Sequence, residues 1–240
     1  MIPTRKALLL GSALTLLVAP ITNAQTDIRL SGGFTQTASN QAGGNQGVRS
    51  AANAGVGNTN RAMRDSQTNT QISVGWFAIF PRFNDNGRNV GACLGDWRRN
   101  RNVGRTGAGE DMPRLRNRTR ADFMMMIIRR NAPGNNGEAT PDTGFSCIKA
   151  GRERNPTFPH EIGHNLSALH SHANTLAKTS RNQLPRTVTT LVGSRGRGYG
   201  PIINRYSNPN LRYLGARTGT SSRKNALRMN SARVSRSRLR

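Results

Sequence analysis

Acidic residues are scarce in this 240-residue chain, which carries 11 aspartates and glutamates against 36 lysines and arginines. The resulting formal net charge is +25. A surface with this charge attracts polyanions such as nucleic acid, acidic polysaccharide, anionic lipid or acidic protein. The basic residues are spread along the whole sequence and not gathered on one segment. The charge therefore predicts non-specific polyanion binding without locating a dedicated site for it.

Cysteine is nearly absent, since the chain contains only Cys93 and Cys147. In an exported protein, two cysteines most simply form one disulfide. Closing a loop of that size would stabilise the fold by about 4 kcal/mol in the chain-entropy model. We do not assign these cysteines as metal ligands.

Long hydrophobic runs are also missing, apart from one at the N-terminus. Residues 1–24 combine the positive charges of Arg5 and Lys6, an apolar core at 7–18 and small residues before Gln25, which is typical of a secretory signal peptide. That core is too short to span a membrane comfortably, and no later stretch could serve as an anchor. We expect a secreted protein, extracellular or periplasmic, that begins near Gln25 and has no transmembrane segment.

Histidine is scarce as well, and all four histidines lie within residues 160–172. His160 and His164 are four residues apart, so on a helix they share one face and can bind one metal ion. Glu161 lies one step round that helix, close to the ion but poorly placed as a ligand. This pattern is typical of a zinc site with a neighbouring general base.

His170 can join the same ion only if the helix stops. Ten residues of unbroken helix would carry it about 15 Å along the axis from His160. The helix should therefore end near residues 165–167 and the chain should double back. Three neutral imidazoles with a fourth position open to water are the arrangement of a catalytic zinc site. His172 is an alternative third ligand.

These residues resemble the H-E-x-x-H-x-x-G-x-x-H signature of the metzincin zinc endopeptidases. The match covers His160, Glu161, His164 and His170, and Ser167 stands where the family has glycine. In the family that glycine adopts the left-handed conformation that ends the helix. A serine there would cost roughly 1–2 kcal/mol of backbone strain.

A second resemblance lies near the C-terminus. Residues 206–219 are similar to the S-N-P-x-x-x-Y-x-G-x-P-T-G ending of bacterial reprolysin-like endopeptidases, the peptidyl-Asp metallopeptidases among them. Metzincins also place a methionine-containing turn beneath the zinc. Here Thr189 stands at the corresponding position, or Val192 under a shifted alignment, so the methionine is absent. In some members a tyrosine approaches the zinc, and Tyr199 and Tyr206 are candidates.

The resemblance implies a bacterial, secreted, zinc-dependent endopeptidase that acts on protein or peptide substrates. His160, His164 and His170 would bind one catalytic Zn²⁺, and Glu161 would act as general base on the zinc-bound water. In the family, an edge strand of the sheet pairs with the extended substrate. Two alternatives are a catalytically inactive homologue and a cationic polyanion-binding protein. The sequence leaves the substrate preference and the oligomeric state open.

The expected fold class is α/β (α+β), with one metzincin-like domain at residues 25–240 after the leader. Its N-terminal lobe, about 25–170, should contain a twisted mixed sheet and the zinc-binding helix. Its smaller, irregular C-terminal lobe, about 171–240, should end in a helix. We expect strands at 27–34, 71–80, 122–128 and 143–148, the last at the sheet edge, helices at 48–66, 112–119 and 222–234, and irregular chain at 82–102, 133–144 and 194–200.

The run Met124-Met125-Met126 falls within the strand expected at 122–128. Consecutive residues of a strand point to opposite faces, so these side chains cannot converge on one metal ion. We therefore interpret them as core residues.

Overall fold

The computed structural model describes residues 25–141, 143–193 and 200–239, and its main feature is a five-stranded mixed sheet. The predicted leader and the glycine- and arginine-rich stretch at 194–199, with Tyr199, lie outside these residues. The N-terminal elements are β1 (Thr26–Thr35), α1 (Gln36–Ala42), α2 (Gly44–Asp65), β2 (Thr70–Phe80), α3 (Val90–Arg99), α4 (Met112–Thr119), β3 (Phe123–Ile128), β4 (Gly137–Thr140), β5 (Phe145–Lys149) and α5 (Thr157–Asn165).

The C-terminal part of the chain is less regular, as expected. A single 3₁₀ turn, His170–His172, is followed by two short two-stranded sheets and a final helix. These elements are β6 (Thr175–Leu176), β7 (Val188–Thr189), β8 (Arg212–Tyr213), β9 (Ala216–Arg217) and α6 (Asn225–Arg236). Of the helices in the described ranges, none combines the length and apolar character needed to cross a membrane.

The strand order of the main sheet is β2-β1-β3-β5-β4. β1 pairs in parallel with β2 and β3, and β3 pairs in parallel with β5. β4 runs antiparallel to β5 and forms one edge of the sheet. The architecture is thus mixed α/β, in agreement with the predicted fold class at that level.

The central strand β3 is buried along its whole length, as its unbroken apolar sequence predicts. Met125 packs into the core on the α2 side of the sheet. Met124 and Met126 pack into the core on the opposite side, around Trp97 of α3. The alternation confirms that the three methionines are core residues.

The long helix α2 forms despite its internal glycines, and one of them has a packing role. A Cβ atom at Gly55 would lie 2.5 Å from the ring of Phe158. The glycine therefore lets α5 approach α2 closely. This contact anchors the start of the helix that carries His160.

Three sequence predictions for the N-terminal part are wrong. Residues 82–102 are not irregular throughout, because α3 forms within them. Its N-cap Asn89 accepts a hydrogen bond from the Ala92 N–H at 2.8 Å, and its apolar side buries Val90 and Trp97. The stretch 82–102 begins with loop residues 82–89, so the helical spacing of the apolar residues after them was not recognised in the sequence.

The strand predicted at 143–148 is also not at the sheet edge. β5 lies inside the sheet, between β3 and β4. The edge is formed by β4, within a stretch predicted to be a loop. Its sequence, Gly-Glu-Ala-Thr, is short and polar, so the pairing with β5 rather than a strand-like composition determines its conformation.

Cys93 of α3 and Cys147 of β5 form the predicted disulfide, with their Cα atoms 6.3 Å apart. Both side chains are fully buried. The bond fixes α3 to the strand that borders β4. The final helix also forms, at Asn225–Arg236 instead of the expected 222–234.

Candidate metal centre

Helix α5 brings the first two histidines together. His160 and His164 are one turn apart, and their Nε2 atoms are 3.2 Å from each other. Phe158 and Ile162, on the same helix, are fully buried in the core and fix its orientation. Pro159 is tolerated because it falls in the first turn, where a helix needs no N–H donor.

The helix ends at Asn165 in a Schellman arrangement. The N–H of Ser167 donates to the His164 carbonyl at 2.9 Å, and the N–H of Ala168 donates to the Gly163 carbonyl at 2.8 Å. Ser167 has a φ of 70°, in the left-handed region. The sequence prediction for the end of this helix is confirmed, and the serine adopts the conformation that glycine would favour.

The reversed chain brings His170 to the other two histidines. Its ring centroid lies 5.1 Å from that of His160 and 4.7 Å from that of His164. One nitrogen from each ring can be chosen so that the three atoms lie within 4.8 Å of one another. These residues could therefore hold a metal ion. His172, the alternative third ligand, lies outside this group.

Two backbone carbonyls orient the imidazoles. His164 Nδ1 lies 2.8 Å from the Ala168 oxygen, and His170 Nδ1 lies 2.6 Å from the Val192 oxygen. A carbonyl only accepts hydrogen bonds, so each Nδ1 carries a proton and Nε2 is the nitrogen left to face a metal. This is the usual outer support of a metal-binding histidine.

Burial keeps two of the imidazoles neutral. Burial, followed by the neighbouring His164 and His170, lowers the pKa of His160 to about 3. Burial likewise lowers the pKa of His164 to about 4, against the effect of its bond to Ala168. Neutral imidazole is the form that binds metals, so the donor set fits a divalent transition metal at neutral pH.

Glu161 lies beside the histidines but outside their group. Its side chain is only 4% exposed. A Cβ atom at Gly137 would lie 2.5 Å from its Oε1, so the carboxyl group faces the start of β4. Burial, followed by repulsion from Glu138, raises the pKa of Glu161 to about 8. Such a perturbed carboxyl in a cleft is a candidate acid–base group.

The cluster forms the floor of a cleft of about 590 Å³. Residues 137–139 of the edge strand β4 form one wall, and Gly193 and Ile202 contribute from the C-terminal part. Among the residues that the structure describes, Glu138, Arg152 and Glu161 are the acidic and basic residues that line it, apart from the histidines. The cleft thus runs along an exposed sheet edge, where an extended chain could pair with the backbone of β4.

Tyr206 does not reach the metal cluster. It is fully buried, and its hydroxyl donates to the Pro159 carbonyl at 2.6 Å. Burial raises its pKa. The residue supports α5 from below, and the suggestion that it could approach the metal is wrong.

The position of the expected methionine turn is occupied by residues 190–193. The N–H of Gly193 donates to the Thr190 carbonyl at 3.2 Å, and Val192 has a φ of 68°. The buried Val192 side chain lies 3.0 Å from the position of a Cβ atom at Gly163. Thr189, the other candidate, belongs to β7 instead. Val192 therefore packs beneath the helix of the metal centre.

Comparison with known proteins gives a fold relationship alone. No protein-family model matches the chain, and no curated protein matches it. One similar solved structure, "Structure of a chaperone-substrate complex", has a TM-score of 0.70 at 17% identity. The match covers 90% of this chain and 35% of that one, so this chain spans about a third of that protein. The likeness shows a shared fold.

Proposed function

We propose that the protein is a zinc-dependent endopeptidase of the metzincin type. The observation that carries the proposal is the placement of three converging imidazoles and a buried carboxyl on the floor of one cleft, beside an open strand edge. The sequence resemblance at residues 160–170 and 206–219 supports the same assignment. Site geometry and motif involve the same residues, and both support the proposal.

Zinc is the metal that best fits the donor set. Three neutral histidine nitrogens with one remaining position are the ligands of many catalytic zinc ions. When bound, zinc would supply a Lewis acid that lowers the pKa of a coordinated water and polarises the scissile carbonyl. His160, His164 and His170 would hold it, with Ala168 and Val192 orienting two of the rings.

Glu161 would act as the general base. It follows His160 directly on α5 and lines the same cleft as the three histidines. In the metal-free protein its pKa of about 8 would leave most of it protonated at neutral pH. A divalent cation held by the adjacent histidines lowers that pKa, because opposite charge favours the carboxylate. The carboxylate would then accept a proton from the water and pass it to the leaving amine.

The strand β4 would hold the substrate. It is paired with β5 on one side, and its other side borders the cleft. An extended peptide could bond to this free backbone edge, with its scissile carbonyl above the histidines. Binding through backbone atoms explains how a peptide of varied sequence could be accepted. We therefore propose protein or peptide substrates.

We also propose that the protein is secreted. The leader-like sequence at 1–24 and the buried disulfide between Cys93 and Cys147 support this proposal. Disulfides persist in oxidising compartments and are rare in the cytosol.

The strain at two positions favours a second candidate, a metal-binding homologue without turnover. Ser167 and Val192 both adopt left-handed backbone conformations next to the histidines, where glycine would be easier to accommodate. The second candidate retains the metal and lacks proteolysis.

Cleavage of an unfolded protein substrate tests the proposal. The purified protein should cleave it, a chelator should stop the reaction, and added Zn²⁺ should restore it. Zinc binding without cleavage would support the second candidate. Cleavage that continues after complete removal of metal would refute a zinc-dependent mechanism.

A further inference from the structure

The third imidazole is held differently from the other two. His160 and His164 are fixed on α5, whereas His170 is exposed and follows the strained turn at Ser167. The bond from Nδ1 to the Val192 carbonyl orients the ring of His170. It does not determine where the backbone at 167–169 lies. The position of that backbone is determined by contacts from the C-terminal part of the chain.

Asn225, the first residue of α6, binds both backbone groups of Leu169, the residue before His170. Its Oδ1 accepts from the Leu169 N–H at 2.9 Å, and its Nδ2 donates to the Leu169 carbonyl at 3.0 Å. A carboxamide has one acceptor and one donor side by side, so it satisfies both backbone groups of one residue. Asn225 is fully buried, which makes these bonds costly to lose.

Two further contacts fix the same segment. Arg228, also on α6, donates from Nε to the Ser167 carbonyl at 3.1 Å. The hydroxyl of Ser207 donates to the His172 carbonyl at 2.5 Å and accepts from the Asn225 N–H at 2.9 Å. The turn is therefore held at 167, 169 and 172, before and after His170.

We propose that α6 helps to form the metal centre by positioning His170, and that Asn225 is the positioning residue. The inference rests on the metal site of the proposed function, but not on proteolysis. Asn225 acts through the Leu169 backbone: it places the His170 Nε2 opposite those of His160 and His164. Metal binding and the docking of α6 onto residues 167–169 are consequently coupled, each stabilising the other.

A matched control exists on the same helix. Asn230 also binds backbone groups through its carboxamide: it accepts from the Asn69 N–H at 2.7 Å and donates to the Gln67 carbonyl at 3.2 Å. These bonds fasten α6 to the loop after α2, away from the histidines. Asn225→Ala and Asn230→Ala therefore remove the same chemistry from the same helix, and of these two asparagines only Asn225 contacts the turn before His170.

The experiment measures the Zn²⁺ affinity of the full-length wild type and both variants by competition with a chelating dye. The visible spectrum of each Co²⁺-loaded protein reports the ligand geometry. Asn225→Ala should bind Zn²⁺ about 10–100-fold more weakly, as substitutions of outer-shell partners do, and its Co²⁺ spectrum should change. Asn230→Ala should stay within about twofold of wild type and keep the wild-type Co²⁺ spectrum, even if its melting temperature falls.

Three outcomes would overturn the inference: unchanged affinity in Asn225→Ala, equal loss in both variants, or no zinc binding by the wild type. Zinc binding without proteolysis would defeat the proposed enzyme function and leave this inference intact. If Asn225→Ala does not fold, Arg228→Gln replaces it. Removing that positive charge favours cation binding, so a weaker affinity in this variant reports lost geometry, and an equal or tighter one contradicts the inference.

Discussion

The Nδ1 atom of His170 lies 2.6 Å from the carbonyl oxygen of Val192. The two residues are far apart in sequence, and the tight turn at 190–193 directs this carbonyl towards the ring. In this protein, the turn beneath the histidines thus supports the third imidazole through its backbone. The support comes from a backbone carbonyl, so it does not require a methionine side chain in the turn.

The identity of the third ligand gives a first prediction. In structural zinc-finger peptides, a zinc-binding free energy of about 10–16 kcal/mol is shared among four protein ligands, which is about 3 kcal/mol for each ligand. His170→Ala should therefore weaken Zn²⁺ binding roughly 100-fold. His172→Ala is the matched control and should bind normally, because His172 lies outside the cluster. The opposite ranking in a dye-competition assay would mean that His172 replaces His170.

The strained turn gives a second prediction. Ser167→Gly should raise the free energy of unfolding by about 1 kcal/mol, since glycine adopts a φ of 70° without the penalty that a Cβ atom carries. The gain is partly offset by loss of the Arg236 contact to the serine hydroxyl, at 3.4 Å. Ser167→Ala keeps the strain and loses the hydroxyl, so it should be less stable than wild type. Urea unfolding of the three proteins checks this order.

The buried carboxyl gives a third prediction, for the metal-free protein. Because the pKa of Glu161 rises from 4.5 unfolded to about 8 folded, the folded state holds a proton that the unfolded state releases between these values. The stability that this proton confers is complete below pH 4.5 and is lost as the pH rises through 8.

Glu161→Gln removes this titration. In the presence of a chelator, the free energy of unfolding of the variant should therefore increase relative to that of wild type as the pH rises from 5 to 9. The relative increase should be on the order of a few kcal/mol. Urea unfolding at a series of pH values measures the difference. A difference that does not change with pH would contradict the assigned burial effect.

The disulfide gives a fourth prediction. Cys93 and Cys147 are 54 residues apart, so the chain-entropy model assigns the bond about 4 kcal/mol. The double variant Cys93→Ala/Cys147→Ala should lose about this much in denaturant unfolding. A loss below about 1 kcal/mol would mean that the packing of α3 on β5 holds these elements without the bond.

The sequence predicted the histidine cluster better than its surroundings. Spacing alone places His160 and His164 together, and the turn at Ser167 follows from the need to bring in His170. These features are local and depend on helix geometry. The strand β3 was also predictable, because a strand that is buried on both faces has a continuous apolar sequence.

The missed features depend on contacts distant in sequence. β4 is a strand only because it pairs with β5, and its composition does not indicate one. The roles of the Val192 carbonyl and Asn225 arise from tertiary contacts across 22 and 56 residues. Helix α3 is different, because its buried residues do follow helical spacing, and the surrounding loop obscured that pattern.

The central claim is that Glu161 performs chemistry at a metal held by three histidines. Its most direct test compares wild type with Glu161→Gln for cleavage of an unfolded protein, with the zinc content measured on the same samples. The account predicts about one zinc per chain in both proteins, with cleavage by wild type alone and a loss of at least about 100-fold in the variant. Zinc in both proteins with cleavage in neither, or equal cleavage by both, would contradict it.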